Sequence, residues 1–317
     1  MCRIFGIVGN SFMKKDNLVI PAGIISSWIE SAVNDPILLD MCPQMIPPQG
    51  HPHGWGVITW SQDASTTTNF NLKRTNQPLV RSYESQIQQW VENAISSSIL
   101  HFIGGHTRRA SPNMPLHSLQ VHPFVLDLHP LSSSLFLMHN GTADKISLNS
   151  LLEKPFSFSA LQVYSDSQIM ALLLKEHLLS VESAPTQGVI YDFMSKIVES
   201  HQEPNWSALQ LILGTLPLAT EELPKIWYVS CVNPLHRPDP LLCRDEFKFS
   251  FDYYKMYLGR VDSQYIFCSS TIKHYFEKGS YDKIKWQELP NFQIGEFLID
   301  QKEIKLKTTS IANSVSD

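Results

Sequence analysis

Nowhere in the 317 residues does an uninterrupted apolar stretch approach the ~20 residues that a membrane-spanning helix requires, which argues against a helical membrane protein. Basic residues are too few for a nucleic-acid surface. The 25 Lys and Arg stand against 30 Asp and Glu, for a formal net charge of −5, and they form no basic stripe. Cysteine is sparse too. Cys2, Cys42, Cys231, Cys243 and Cys268 are odd in number and widely scattered, and no pair has the spacing of a zinc ribbon or a redox motif. The start of the chain lacks the basic and apolar regions of a secretory leader. A reducing cytoplasm is the setting these absences lead one to expect, and it keeps thiols available. There is no internal repeat, and the length suffices to bury a substantial core.

Against that spare background Cys2 stands out. Removal of Met1 would make it the N-terminal residue, with a thiol and a free α-amine on one amino acid. An α-amine ordinarily titrates at about 7.7–8.0, near working pH, so it can take the thiol proton directly or through a water. Cysteine is small enough for the initiator methionine to be trimmed. The run Arg3-Ile4-Phe5-Gly6-Ile7-Val8-Gly9 reads as a buried strand beginning at once. Such a strand would hold the terminus in a sheet where most termini fray.

Four further segments carry chemistry-bearing residues. Pro52-His53-Gly54-Trp55-Gly56-Val57-Ile58 sets a glycine-flanked tryptophan at the entry to a strand. Gly104-Gly105-His106-Thr107-Arg108-Arg109-Ala110-Ser111 is followed by Val121-His122-Pro123-Phe124. Phe136-Leu137-Met138-His139-Asn140-Gly141-Thr142 is a strand ending in a polar turn, and Tyr164-Ser165-Asp166-Ser167-Gln168 opens an apolar helical run. Each has an ordinary structural reading: a tight bend, a solvated arginine pair, an Asn-Gly turn, a helix N-cap.

In this order, behind Cys2, the segments resemble the glutaminase domain of class II glutamine amidotransferases, a branch of the N-terminal-nucleophile hydrolases. The likeness is to the small stand-alone members, which include proteins of glutathione breakdown and ergothioneine synthesis. It is dense from residue 2 to about residue 175 and thin beyond. It implies an α+β fold, a four-layer αββα sandwich, in one domain over 2–307 with a polar tail at 308–317. It implies that Cys2 attacks the side-chain amide of glutamine or of a γ-glutamyl compound to form a thioester, with no cofactor and no metal. Asn140 and Gly141 match the oxyanion hole. Arg108 matches the arginine that grips the substrate carboxylate, and Asp166 the acid that receives its ammonium group. Trp55 and Gly56 look like pocket wall, and His122 like a residue that orders the loop around the site. The chain shows no synthetase, phosphoribosyl or sugar-isomerase domain, so a separate ammonia-accepting protein is an expected partner unless the protein acts alone.

Some positions depart from the family pattern. His53 stands in place of aspartate and Gln168 in place of glutamate, which predicts altered support around the pocket. Ile266-Phe267-Cys268-Ser269-Ser270 resembles a late family strand, but Thr271-Ile272 follow where glutamate and proline are usual, on the outer rim of the substrate site. Two alternatives follow. The 12 histidines, among them His51, His53, His101, His106, His117, His122, His129 and His139, suggest a metal-dependent hydrolase, although no His-Glu-x-x-His pair is present. The changes at His53 and Gln168 suggest an inactive relative that only binds a partner.

Patterning predicts strands near 3–9, 55–60, 101–107, 134–139, 209–215, 225–231, 264–269 and 295–299, and helices near 21–32, 84–98, 166–179 and 188–200. Ser165 or Asp166 should cap the third helix. Residues 61–70 read as a loop or hairpin tip, and the tail from Thr308 as frayed. The segment 234–257, with Pro234, Pro238 and Pro240 before Phe247, Phe249, Phe251, Tyr253, Tyr254 and Tyr257, reads as a strand with a long connection. The sharper reading is an exposed aromatic surface for a lid or partner.

Overall fold

Every residue of the first strand, β1 (Cys2–Asn10), is buried, so both of its faces must meet apolar partners. The computed structural model, which describes residues 2–10, 19–41, 50–110, 116–129, 133–181, 185–200, 206–217, 223–234, 236, 252–279, 284–300 and 303–311, shows how this is met. The protein is α+β, with two antiparallel sheets face to face and helices on their outer faces.

Two long partners flank β1 in the first sheet, β4 (Ser98–Arg108) and β10 (Gln264–Ser269). The sheet continues outward from β4 through β2 (Trp55–Asp63) to β3 (Thr68–Thr75). From β10 it runs through β9 (Met256–Val261) to β11 (Lys285–Glu288). The second sheet runs, in spatial order, β13 (Ile304–Ser310), β12 (Gln293–Ile299), β8 (Lys225–Val232), β7 (Ala208–Pro217), β6 (Ser133–Thr142) and β5 (Phe124–Asp127).

Side chains alternate faces along a strand, and three apolar layers result. Ile4, Val8, Ile58 and Phe102 from the first sheet meet Phe136, Met138, Ile212 and Tyr228 from the second. The rings of Phe102 and Phe136 stack with centroids 4.9 Å apart. On the outer side of the first sheet, Phe5, Ile7, Val57 and Ile103 pack under α1 (Val19–Val33), α3 (Glu84–Ile95) and α8 (Ser270–Lys278). On the outer side of the second, Leu135, Leu137, Leu209 and Leu211 pack under α6 (Asp166–Ser180) and α7 (Gln187–Ser200). Each large side chain buried in these layers contributes about 1.5–3 kcal/mol relative to exposure.

All the strands and helices predicted from patterning are present, and the departures have local causes. The helix expected to reach 98 stops at Ile95, because Ser98 already begins β4. The stretch 61–70 holds the expected hairpin tip, at 64–67 between β2 and β3 (Thr68–Thr75). β2 runs to Asp63, whose Oδ1 accepts the Ser65 and Thr67 backbone N–H groups (2.9 Å each) and closes the hairpin in a few residues. Ser65, Thr66 and Thr67 form that tip, and Thr68 and Asn69 open the partly exposed edge strand β3. At the other end, the tail boundary at 307 is corrected. β13 pairs with β12 through Ser310, with Thr308 opposite Gly295, and Ile311 is buried. Residues beyond 311 lie outside the described residues, as do 237–251 with Phe247, Phe249 and Phe251. Tyr253 and Tyr254 are buried and present no exposed aromatic surface.

Behind β1 lies a buried charge. Arg3 faces the helices, where its Nε donates to Asp35 Oδ2 (2.8 Å), its Nη2 lies 2.6 Å from the same oxygen, and its Nη1 donates to the Tyr253 carbonyl (3.1 Å). The guanidinium sits 4.0 Å from the centre of the Tyr253 ring. Asp35 also accepts from Thr271 Oγ1 (2.8 Å) and meets His51 Nε2 (3.0 Å). Burial opposes a charged carboxyl, yet the Arg3 charge and the His51 hydrogen bond outweigh it and hold Asp35 below the ordinary carboxylate range. The network ties β1 to Asp35, His51, Tyr253 and Thr271. Removing one partner strands the other as an unpaired interior charge. Asp35→Ala is expected to cost about 3–5 kcal/mol in urea unfolding, whereas Arg81→Ala, which opens the exposed Arg81–Glu30 pair, leaves the transition nearly unchanged. A loss below about 1 kcal/mol for Asp35→Ala would show that β1 is held by apolar packing alone.

Candidate active site

Antiparallel register decides what surrounds Cys2. β1 pairs with β4 so that Cys2, at the start of one strand, lies opposite Arg108, at the end of the other. Both side chains point between the sheets, on the same face as Ile4 and Phe102. From the second sheet, Asn140 follows Phe136 and Met138 on the inward face of β6, and its Oδ1 accepts the Cys2 backbone N–H at 3.0 Å. Asn140 is fully buried, and its Nδ2 has no hydrogen-bond partner among the described residues. Gly141 follows with φ of 146°, a conformation that disfavours any side chain. A Cβ there would sit 1.8 Å from the Ala208 carbonyl oxygen, so glycine is required on both counts.

Asp166 arrives on the first turn of α6. Ser165 is the N-cap: its Oγ accepts the Gln168 N–H (3.1 Å) while Gln168 Oε1 accepts the Ser165 N–H (2.9 Å), a closed capping box. With the cap supplied by Ser165, the Asp166 carboxylate turns to the cavity and accepts the N–H groups of Ala143 (2.9 Å) and Ser167 (2.8 Å). Together these residues bound a cavity of about 270 Å³ lined by Cys2, Arg108, Gln120, Gly141, Lys145 and Asp166, with His122, His139 and Ser167 also in its wall. Burial lowers Arg108 from its usual pKa, while Cys2 and Asp166 push it back up. A thiol, a cation and a carboxylate thus face one small space, with the buried Asn140 amide behind the thiol. That set suits attack on a carbonyl carbon beside a zwitterionic head group.

Of the sequence-predicted site residues, Cys2, Arg108, Gly141, Asp166 and His122 line the cavity, and Asn140 holds the Cys2 backbone from behind. Trp55 and Gly56 do not form pocket wall. Trp55 faces the helices, its ring 6.2 Å from Trp28 and 5.6 Å from Tyr83. Gly56 faces inward, but the His122 carbonyl rests on it, where an added Cβ would approach to 2.1 Å. Alternation along β2 accounts for both. Thr271 and Ile272 likewise lie away from the cavity, Thr271 on Asp35 and Ile272 in the helix-side core.

The departures from the family pattern have visible work. His53 Nδ1 accepts the Ala110 N–H (2.9 Å), which fixes the chain just beyond Arg108. Gln168 closes the capping box and also donates from Nε2 to the Leu119 carbonyl (3.1 Å). Gln120 and Lys145 were missed by sequence reasoning. Neither stands in a recognisable motif, and the turn that carries Gln120 announces nothing about where the amide will point.

Two of the buried histidines near the cavity, His106 and His139, are held by hydrogen bonds to backbone carbonyls. His106 Nε2 donates to the His139 carbonyl (3.1 Å), and His139 Nε2 donates to the Ala208 carbonyl (3.1 Å). His139 Nδ1 lies within hydrogen-bond distance, 2.9 Å, of the Ser167 hydroxyl. His122 packs against His106 with centroids 4.0 Å apart and the rings tilted by 35°. Among the described residues, no three His, Cys, Asp or Glu side chains form a group that could hold a metal ion. No helix among them is long and apolar enough to cross a membrane. Neither a protein-family model nor a curated protein sequence matches this chain.

Burial pushes His51 and His101 down to about 4 and His106 to about 3, and it holds His122 well below its ordinary value. In the unfolded chain the same groups titrate near ~6.5. Between these values the unfolded state binds more protons than the folded one, so acid favours unfolding. Stability is therefore expected to be complete above about pH 6.5 and to fall steadily towards about pH 4, in steps of about 1.4 kcal/mol per unmatched proton per pH unit. Urea midpoints measured across this range would be flat if the rings titrated alike in both states.

Proposed function

We propose that this protein is an amidohydrolase of the class II glutamine amidotransferase type, with the αββα fold of the N-terminal-nucleophile hydrolases. Its reaction is cleavage of the side-chain amide of glutamine or of a γ-glutamyl compound. The observation that carries this reading is the 3.0 Å bond from the Cys2 backbone nitrogen to Asn140 Oδ1, with Asn140 Nδ2 left unpaired beside it. Removal of Met1 turns that nitrogen into the α-amine, and Asn140 then orients the base while offering its own N–H to the substrate.

The chemistry follows from these positions. The α-amine takes the thiol proton, and Sγ attacks the amide carbon. Negative charge develops on the carbonyl oxygen, where Asn140 Nδ2 and the Gly141 N–H serve as donors; one such donor is typically worth about 3–4 kcal/mol in rate. Collapse breaks the C–N bond, and the protonated α-amine supplies the proton to departing ammonia or amine. Water then attacks the thioester and releases glutamate. Arg108 grips the α-carboxylate with its planar fork, and Asp166 receives the α-ammonium. Ammonia set free at Cys2 passes to solvent or to a separate acceptor protein. A reducing compartment such as the cytoplasm suits a thiol nucleophile.

Two sets of variants test this. Cys2→Ala is expected to abolish hydrolysis, and so is any form that retains Met1 or carries an N-terminal tag. Intact-mass analysis should show Met1 absent from active protein, with a glutamine-like diazoketone adding to Cys2 alone. Full turnover by unprocessed protein would sink the mechanism. Arg108→Lys keeps the charge without the fork, and Asp166→Asn removes the ammonium partner. Each is expected to cost about 2–4 kcal/mol in kcat/KM with folding preserved. Normal turnover by both variants would move the head-group site elsewhere.

A further inference from the structure

We propose that Gln120 is the positioning residue of the head-group clamp. It couples the Arg108 guanidinium to the start of the helix that carries Asp166, so that the amino-acid end of the ligand is read by one assembled unit. The proposal rests on the amidohydrolase reading for its ligand, an α-amino acid with a free carboxylate, and on the geometry for everything else.

Gln120 lies on a single 3-10 turn, Ser118–Gln120, and is almost fully buried in the cavity wall. Its two amide atoms face different partners. Oε1 accepts from Arg108 Nη2 at 3.2 Å, and Nε2 donates to the Val163 carbonyl at 2.7 Å. Val163 lies two residues before the cap Ser165 and three before Asp166. The amide is therefore a strut between the end of β4 and the entry to α6. A second amide reinforces it from the opposite side, since Gln168 Nε2, one turn into α6, donates to the Leu119 carbonyl at 3.1 Å. The turn is thus bonded to the helix start at two adjacent residues, and Arg108 is bonded to the turn.

Only a neutral amide fits this place. The acceptor must face a cation and the donor must face a carbonyl, an arrangement that glutamine meets with one oxygen and one nitrogen. A neutral oxygen orients the guanidinium without adding a negative charge beside it. Glutamate at 120 would pair with Arg108 as a charged partner and set a carboxylate oxygen against the Val163 carbonyl. Methionine, of similar length, would remove both bonds and leave the Arg108 guanidinium without this acceptor.

The experiment uses the intact, processed protein with L-glutamate and L-glutamate α-methyl ester as calorimetric ligands, beside steady-state kinetics on glutamine. For Gln120→Met, the affinity for L-glutamate is expected to fall about tenfold, as the loss of a well-aimed charged contact does, while the ester, which lacks the carboxylate, binds as to wild type. Gln120→Glu is expected to weaken L-glutamate further, because its own carboxylate occupies Arg108. In turnover both variants raise KM for glutamine and keep kcat within about twofold, the signature of lost uniform binding. Equal weakening of both ligands, or a fall in kcat at unchanged KM, would overturn the proposal in favour of a role in holding the fold. Thermal unfolding of both variants identifies that case directly. A wild-type protein that binds L-glutamate through its carboxylate yet cleaves no γ-glutamyl amide sinks the amidohydrolase reading and spares the clamp. Efficient hydrolysis that ignores both substitutions at Gln120 does the reverse, and a protein that neither binds nor cleaves overturns both.

Discussion

A hydrogen bond crosses between the two sheets at the site, from the Cys2 backbone nitrogen to the side chain of Asn140. It can form only if the sheets stack at the right separation and the inner faces of β1 and β6 meet at the same end. Stacked sheets lie about 10 Å apart, a gap set by the side chains that fill it. The aromatic layer of Phe102, Phe136, Tyr228 and Phe267 is therefore more than a source of stability. It is the spacer that brings a residue from each sheet to within 3.0 Å at the site.

The polar groups around that contact are arranged so that few charges compete for the cavity. Arg3 and Asp35 satisfy each other on the far face of β1, within the helix-side layer. The buried His106 and His122 rings are kept neutral by desolvation, and His106 spends a ring nitrogen on a backbone carbonyl. Capping of α6 falls to Ser165, which releases Asp166 from that duty. Arg108 and Asp166 line the cavity with Cys2, and Lys145 there is tied to the carbonyls of Leu161 and Tyr164. In a partly dry space such separation matters, because each unscreened charge acts at longer range than in water.

Much of the fold could be read from the chain because its central strands are continuous apolar runs and its main helices keep a regular period. The edge strands β3, β5, β11 and β13 were not legible. They are short or half-exposed, and their polar residues at the rim look like loop. The site was legible where a residue type is demanded by local geometry, as at Gly141, whose positive φ and contact with Ala208 admit no side chain. Trp55 misled for the opposite reason. Its neighbours mark a tight strand entry, but which face receives the ring depends on the register of β2 against β4, and that register turns it to the helices.

The sequence by itself determined the strands that carry Cys2, Arg108 and Asn140, the helix start that carries Asp166, and the alternation that sorts inward from outward side chains. These follow from short-range sterics and from the spacing of apolar residues along each segment. Only the tertiary structure decided that Arg108 lies opposite Cys2, that Asn140 reaches its nitrogen, and that Gln120 bridges Arg108 to the Asp166 helix. Each is a contact between distant parts of the chain. Such contacts depend on strand register and sheet stacking, which arise from the packing of the whole core and leave no mark on any one segment.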